Sequence, residues 1–335
     1  MQNQKRIIHD VSGWLRVYDD GSVDRTWTGP PEVKFMAEPV PPHNDFVNGV
    51  ATRDVTVHDS LRVRVYLPEH EPIDGSKLPI ILHFHGGGFC ISQADWYMYY
   101  NTYTRLAKLS QAIIVSVFLR LAPEDRLPAS INDGYSALLW LKSLSQGESH
   151  EQWLNSYGDF NRVFLIGDSS GGNIVHEVAA RAGHVNLNPL RLAGAIPIHP
   201  GFVRAERSRS ELERPQSPFL TLDMLDKFLS LALPVGSTKD HHITCPMGPT
   251  GAVAGFESLR MPAVLLCVAE NDLIWDTEME YYEAMKKANK DVELLINPGM
   301  THSFYLNKIA IDTDPNTAAQ TEGLLQGITE FVKKH

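Results

Sequence analysis

Six short, uninterrupted apolar runs punctuate this chain: LPIILHF, AIIVSVFL, RVFLIG, LAGAIPI, PAVLLCVA and VELLINP. No other feature restricts its fold so severely. A strand with one face in water alternates apolar and polar residues, so a run that is apolar throughout suits a strand covered on both faces. Segments with helical spacing at 95–109, 128–144, 172–182 and 277–289 lie between such runs, and a last one ends in ITEFVKKH. Strands alternating with helices predict an α/β fold with a mostly parallel sheet between helical layers. Residues 61–67 alternate instead (Leu61, Val63, Val65, Leu67), as a half-covered strand does.

Two regions break the rhythm. Residues 1 to about 50 are rich in proline and aromatics, and 200–245 hold ERSRSELERPQSPFLTLDMLDKFLSLALP. Both are expected to form a cap over the sheet of a single domain spanning 1–335. No internal repeat or long linker divides the chain.

Composition narrows the functions. A net charge of −10 argues against a nucleic-acid surface and leaves a small-molecule partner as the expectation. No apolar stretch reaches the length of a membrane span or a signal peptide. Three scattered cysteines, Cys90, Cys245 and Cys267, make neither a disulfide framework nor a zinc cluster. The expectation is a cytoplasmic protein, monomer or homodimer, without cofactor or metal.

The segment FLIGDSSGGN places Gly167, Ser169 and Gly171 in a G-x-S-x-G pattern between an expected strand and an expected helix. That context makes a nucleophile elbow, where the serine sits in a strained turn that side chains at the flanking glycines would obstruct. A serine hydroxyl is a weak nucleophile and needs a histidine to take its proton and a carboxylate to orient that histidine. Asp272 in AENDLIWD follows one apolar run, and His302 in GMTHSFY follows the next. Both fall where strand ends gather around Ser169. Asp276 competes for the role of acid, but its place at a helix start suggests a cap.

HFHGGGFC, at 83–90, supplies the remaining requirement. The oxygen of an attacked carbonyl becomes an anion, and only backbone N–H groups free of obstructing side chains can approach it closely. Gly87 and Gly88, with Ser170 after the nucleophile, are the expected donors. Cys90 reads as a small buried residue, and Asp240, His241 and His242 as an exposed loop. Asp168 either faces the pocket or anchors the turn, and Trp96 or Tyr97 could face the pocket.

With HGGGF, GDSSGGN, the acid loop and the histidine loop in this order, the chain resembles the hormone-sensitive-lipase-like branch of the α/β-hydrolase superfamily. LRLAPEDRLPAS, the N-terminal VSGWLRVYDDGSVDRTWTGPPEV and the cap segment look like the plant carboxylesterases within it. The resemblance implies an α/β-hydrolase fold, a cap built partly from the N-terminal segment and a serine carboxylesterase. It implies catalytic Ser169, Asp272 and His302, an oxyanion hole of Gly87, Gly88 and Ser170, and substrate contacts from Phe89, Asp168 and Trp275. Asp125 stands where the family usually has histidine, and Trp275 where a basic or polar residue is common, so both are expected to alter the pocket floor. The expected substrate is a small, largely apolar carboxylic ester, a methyl ester of a plant metabolite such as an alkaloid being one candidate. Alternatives are a cyclase or lyase, or hydrolysis coupled to decarboxylation, and, in another class, a ligand receptor like the gibberellin receptors. Those receptors have lost the histidine that stands here as His302.

Overall fold

A computed structural model describes residues 5–58, 61–69, 75–248 and 255–335. Each continuous apolar run is a strand. They are β6 (Leu78–Phe84), β7 (Ile113–Phe118), β8 (Gly158–Asp168), β9 (Leu192–Ile198), β10 (Ala263–Ala269) and β11 (Val292–Asn297). The alternating stretch is β5 (Leu61–Pro68), paired with β4 (Val50–His58), which the sequence reading passed over. Together they form an eight-stranded sheet in the order β11-β10-β9-β8-β6-β7-β5-β4. Pairing is parallel from β7 to β11, while β5 joins both β4 and β7 antiparallel.

Alternate side chains of each inner strand enter different cores. Ile80, Leu82, Val115 and Leu165 pack on one face, and Ile81, Ile114, Phe164 and Ile166 on the other. Burying one such side chain contributes about 1.5–3 kcal/mol, which explains why apolar residues dominate both faces. The buried pair His83 and Ser116, on β6 and β7, hydrogen-bond each other across the sheet at 2.6 Å. The helices that cover the sheet are α1 (Tyr97–Ser110), α2 (Ala129–Gln146), α3 (Gln152–Tyr157), α4 (Ser170–Ala182), α7 (Trp275–Lys287) and α9 (Pro315–Lys334), with the short α8 (Lys308–Thr313) preceding the last. Among the described residues no helix is long and apolar enough to cross a membrane.

The chain outside this rhythm forms two further pieces. β1 (Ile7–Val11), β2 (Leu15–Tyr18) and β3 (Val23–Asp24) make a small antiparallel sheet. Between β9 and β10 lie α5 (Arg209–Glu213) and α6 (Leu222–Ala232). Thr221 caps α6 by accepting from the Met224 N–H at 3.1 Å. Its apolar face, Met224, Leu225, Phe228 and Leu229, is buried. Lys227 Nζ on the other face donates to the Asp10 carbonyl at 2.7 Å, tying the two pieces together. Arg25 anchors the N-terminal segment: it donates to both Glu124 carboxylate oxygens and to the carbonyls of Cys90 and Ala122, at 2.6–2.9 Å. The segment is thereby attached beside the end of the HGGGF loop.

Candidate active site

The turn from β8 into α4 puts Ser169 at φ 51°, a left-handed conformation that costs a non-glycine residue about 1–3 kcal/mol. Its neighbours hold it there. The Ser169 N–H donates to the Ile198 carbonyl at 2.9 Å, and its own carbonyl accepts from Gly172 at 2.8 Å and Gly201 at 3.0 Å. A Cβ on Gly171 would lie 2.1 Å from the Phe84 carbonyl oxygen, so the elbow closes against β6 only with glycine at that position.

Asp272 and His302 come from the loops after β10 and β11, and a backbone bond from Asn271 N–H to the Met300 carbonyl, 2.8 Å, ties these loops together. Both side chains are buried, at 0% and 3% exposure. His302 Nδ1 lies 2.6 Å from Asp272 Oδ2, and its Nε2 lies 2.9 Å from Ser169 Oγ. The Nδ1–H therefore donates to the carboxylate and leaves Nε2 as acceptor for the serine hydroxyl. Asp272 Oδ1 accepts from the Ile274 N–H at 3.2 Å.

The glycine loop faces the same point. Gly87, Gly88 and Phe89 stand in succession at φ 100°, 60° and 64°, which turns their N–H groups out of any regular ladder. Phe89 N–H donates to Ser170 Oγ at 3.1 Å, while the N–H groups of Gly87, Gly88 and Ser170 bond to no acceptor among the described residues. Beneath them the Gly86 N–H donates to Asp168 Oδ1 (3.2 Å) and to the Tyr99 hydroxyl (3.1 Å), which itself donates to Asp168 Oδ2 (3.3 Å). Burial, together with the Asp168 charge, pushes the Tyr99 phenol well up, so it stays a donor. Asp168 thus anchors the turn and also borders the cavity. Burial lowers His85 to about 4, leaving it neutral beneath the loop.

Above Ser169 lies a cavity of about 60 Å³, walled by Trp14 of the N-terminal segment, Met224, Phe228 and Leu229 of α6, Phe219, and Leu306. Phe89, Gly87, Gly88, Asp168, Ser170, Ser169 and His302 reach it as well.

Four readings of the sequence need correction. Trp275 does not line the cavity: it opens α7 with the Arg214 guanidinium 5.1 Å over its ring, so it packs behind the acid. Asp125 is also elsewhere, 3.7 Å from Arg120. Trp96 and Tyr97 lie off the cavity too, and the next two residues of that segment, Met98 and Tyr99, line it instead. Trp96 stacks on Trp14, with ring centroids 6.1 Å apart. No side chain among the described residues caps α7, and Asp276 lies within its first turn, where its own N–H donates to Ser210 Oγ at 3.1 Å. Its Oδ2 accepts from Ser210 N–H at 2.8 Å and holds α5. Cys90 is buried, and His242 pairs with Glu177 at 3.0 Å in a partly exposed loop.

Two buried groups beside the acid escaped the sequence reading. Glu278 is fully buried, and neither carboxyl oxygen has a hydrogen-bond partner among the described residues. Burial, then the Asp272 charge, pushes it well up, against the opposing pull of Arg214, so it is neutral. His199, at the end of β9, accepts from Ser303 N–H through Nδ1 at 2.9 Å. Ligand atoms of His199, Asp272 and His302 lie within 4.8 Å of one another. No local motif marks either residue: His199 is defined by a contact with a distant loop, and Glu278 by which face of α7 turns inward.

Comparison with known proteins agrees with this architecture. A family model described as alpha/beta hydrolase fold matches residues 81–306. The chain is 35% identical over 306 residues to probable carboxylesterase 6 of Arabidopsis thaliana, covering 90% of this chain and 85% of the relative. It is 38% identical over 287 residues to gibberellin receptor GID1C of the same plant, covering 82% and 80%. Among solved structures, an esterase of Pyrobaculum calidifontis superposes with a TM-score of 0.67 at 25% identity, covering 89% of this chain and 87% of that one.

Proposed function

The chain belongs to the α/β-hydrolase family, in its hormone-sensitive-lipase-like branch of plant carboxylesterases, and from that premise we propose that it hydrolyses a small carboxylic ester through an acyl-Ser169 intermediate. The observation that carries the reading is the unbroken chain from Ser169 Oγ through His302 to Asp272, at 2.9 and 2.6 Å. Ser169 attacks the ester carbonyl while His302 Nε2 takes its proton, and Asp272 stabilises the imidazolium that forms. The carbonyl oxygen turns into the N–H groups of Gly87, Gly88 and Ser170, which are already oriented and need no reorganisation. His302 then returns the proton to the departing alcohol and activates the water that releases the acid.

The N-terminal sheet and the α6 segment serve as the cap. Their side chains leave a cavity of about 60 Å³, which suits the smaller side of an ester, such as a methyl group. The wall is apolar, which favours an uncharged ester, and a methyl ester of a plant metabolite such as an alkaloid is our candidate. If the freed acid lay β to a carbonyl or imine, it would lose carbon dioxide without further assistance. We place the enzyme in the cytoplasm, in keeping with three buried free cysteines.

A receptor role is the second reading, favoured by the likeness to GID1C. The triad speaks against it, because a receptor has no need of a histidine between serine and aspartate. Ser169→Ala separates the two. Loss of p-nitrophenyl acetate hydrolysis by on the order of 10³-fold or more is expected, as in other triads that lose one member. Turnover close to wild type in the variant would defeat the proposal.

A further inference from the structure

The histidine at the end of β9 is the buried group nearest the proposed machinery that the mechanism above leaves without a task. His199 is fully buried, its ring centroid 5.8 Å from that of His302. Its backbone sits at φ 44°, a conformation that β9 does not require of its last turn and that the neighbouring strand holds through the bond from His199 N–H to the Cys267 carbonyl, 2.8 Å. Strain of this kind persists where surrounding structure over-determines it. Here it aims the ring at the loop after β11.

The contact it makes there is specific. Ser303, directly after His302, is itself left-handed at φ 52° and buried, so its N–H falls outside any helix or strand. A buried N–H without an acceptor would cost about as much as a lost hydrogen bond. His199 Nδ1 supplies that acceptor at 2.9 Å. We propose that His199 is a positioning residue: by accepting the Ser303 N–H it fixes the turn that carries His302 and keeps that imidazole between Ser169 and Asp272. The inference rests on the triad reading given above.

The latch requires a neutral ring, since a protonated imidazole has no acceptor. Burial lowers His199 to about 4; Asp272 and Asp168 pull the other way, and His302 adds to the lowering. The other groups against the ring are Phe304 and Tyr305, which carry no charge. With Nδ1 accepting, the proton resides on Nε2.

Two substitutions separate a latch from simple filling of space. His199→Phe keeps the ring volume and removes the acceptor, whereas His199→Asn gives up volume but can place an amide oxygen where Nδ1 stands. With p-nitrophenyl acetate, the latch predicts that kcat of H199F falls by up to about 10²-fold, the effect of misplacing a reacting group by roughly 1 Å. KM should stay within about twofold, since His199 does not line the cavity. H199N should recover most of the lost kcat. An H199F enzyme as fast as wild type, or an H199N enzyme as slow as H199F, would overturn the inference while a dead Ser169→Ala left the triad reading intact. An active Ser169→Ala would remove the triad itself. If neither His199 variant folds, ¹⁵N NMR of histidine-labelled wild-type protein decides: a neutral Nε2–H tautomer for His199 between pH 5.5 and 8 supports the latch, and an Nδ1–H tautomer overturns it.

Discussion

Glu278→Gln should stabilise the protein, and by a larger margin the higher the pH. In the unfolded chain a glutamate loses its proton near the ordinary carboxylate range, about 4.3. In the folded protein Glu278 is fully buried, has no hydrogen-bond partner among the described residues and faces the charge of Asp272, so it keeps its proton well above that value. Between the two values the folded state binds one more proton than the unfolded state, and stability therefore falls as pH rises through that window. The slope is about 1.36 kcal/mol per pH unit while the difference of one proton lasts. Moving from pH 5.5 to 7.5 thus removes stability from the wild type, by up to about 3 kcal/mol if the proton is held throughout, a sizeable part of the 5–15 kcal/mol typical of a folded protein. Glutamine has nearly the same shape, leaves similar polar atoms unpaired and cannot ionise, so it escapes this loss. Urea unfolding of both proteins at the two pH values measures the effect. The stability difference should grow in favour of the variant as pH rises from 5.5 to 7.5, by up to about 3 kcal/mol. A difference that stays constant with pH, or a variant that loses ground as pH rises, would refute the reasoning.

Two further predictions concern the cavity. A Cβ on Gly88 would stand 2.5 Å from Phe228 Cγ on a residue already at φ 60°, so Gly88→Ala should displace the oxyanion loop or α6 and lower kcat by about 10²–10³-fold, the loss typical of one oxyanion donor. Stopped-flow assay of p-nitrophenyl acetate gives that number, and a loss below about threefold would show that the Gly88 N–H is not used. Leu229 separates the 60 Å³ cavity from a cleft of about 480 Å³ on the outer side of α6, so Leu229→Ala should join them. The ratio of kcat/KM for p-nitrophenyl octanoate over acetate should rise by about tenfold or more, in line with 1–3 kcal/mol per methylene in an apolar pocket, and an unchanged ratio would mean that the wall holds.

Much of this architecture can be read from the residues because the two strongest constraints are local. A strand buried on both faces is mostly apolar and admits a polar residue only where it finds a partner, as His83 finds Ser116, and all six continuous runs are strands of the sheet. The elbow and the glycine tract are legible for another reason: the obstruction that excludes side chains comes from distant residues, Phe84 for Gly171 and Phe228 for Gly88, but it leaves a local signature of glycines. β4 was not legible because Val50–His58 lies at the sheet edge with one end exposed, so its pattern VATRDVTVH reads as a polar loop. The reading of Trp275 as a pocket residue failed because sequence adjacency to Asp272 does not say on which side of the loop a ring falls. Asp276 reads as a cap for α7, yet it falls past the N-cap position, inside the first turn of the helix, where it exchanges hydrogen bonds with Ser210 of α5. His199 is defined by groups many residues away and Glu278 by the inward turn of its face of α7, and no local motif reports either. The α6 face is intermediate: its apolar spacing at Met224, Leu225, Phe228 and Leu229 marks a buried helix, but not what it is buried against.

The central claim is that chemistry passes through a covalent bond to Ser169, and trapping that bond tests it most directly. The enzyme would be mixed with excess p-nitrophenyl acetate, quenched in acid within milliseconds, digested and mapped by mass spectrometry, with His302→Ala run alongside. A stoichiometric burst of nitrophenol and one acetyl group on the peptide containing Ser169 are expected, with the adduct absent from His302→Ala on the same timescale. An acetyl group found on another residue, or wild-type turnover with no acyl-enzyme at any quench time while Ser169→Ala stays active, would contradict that claim.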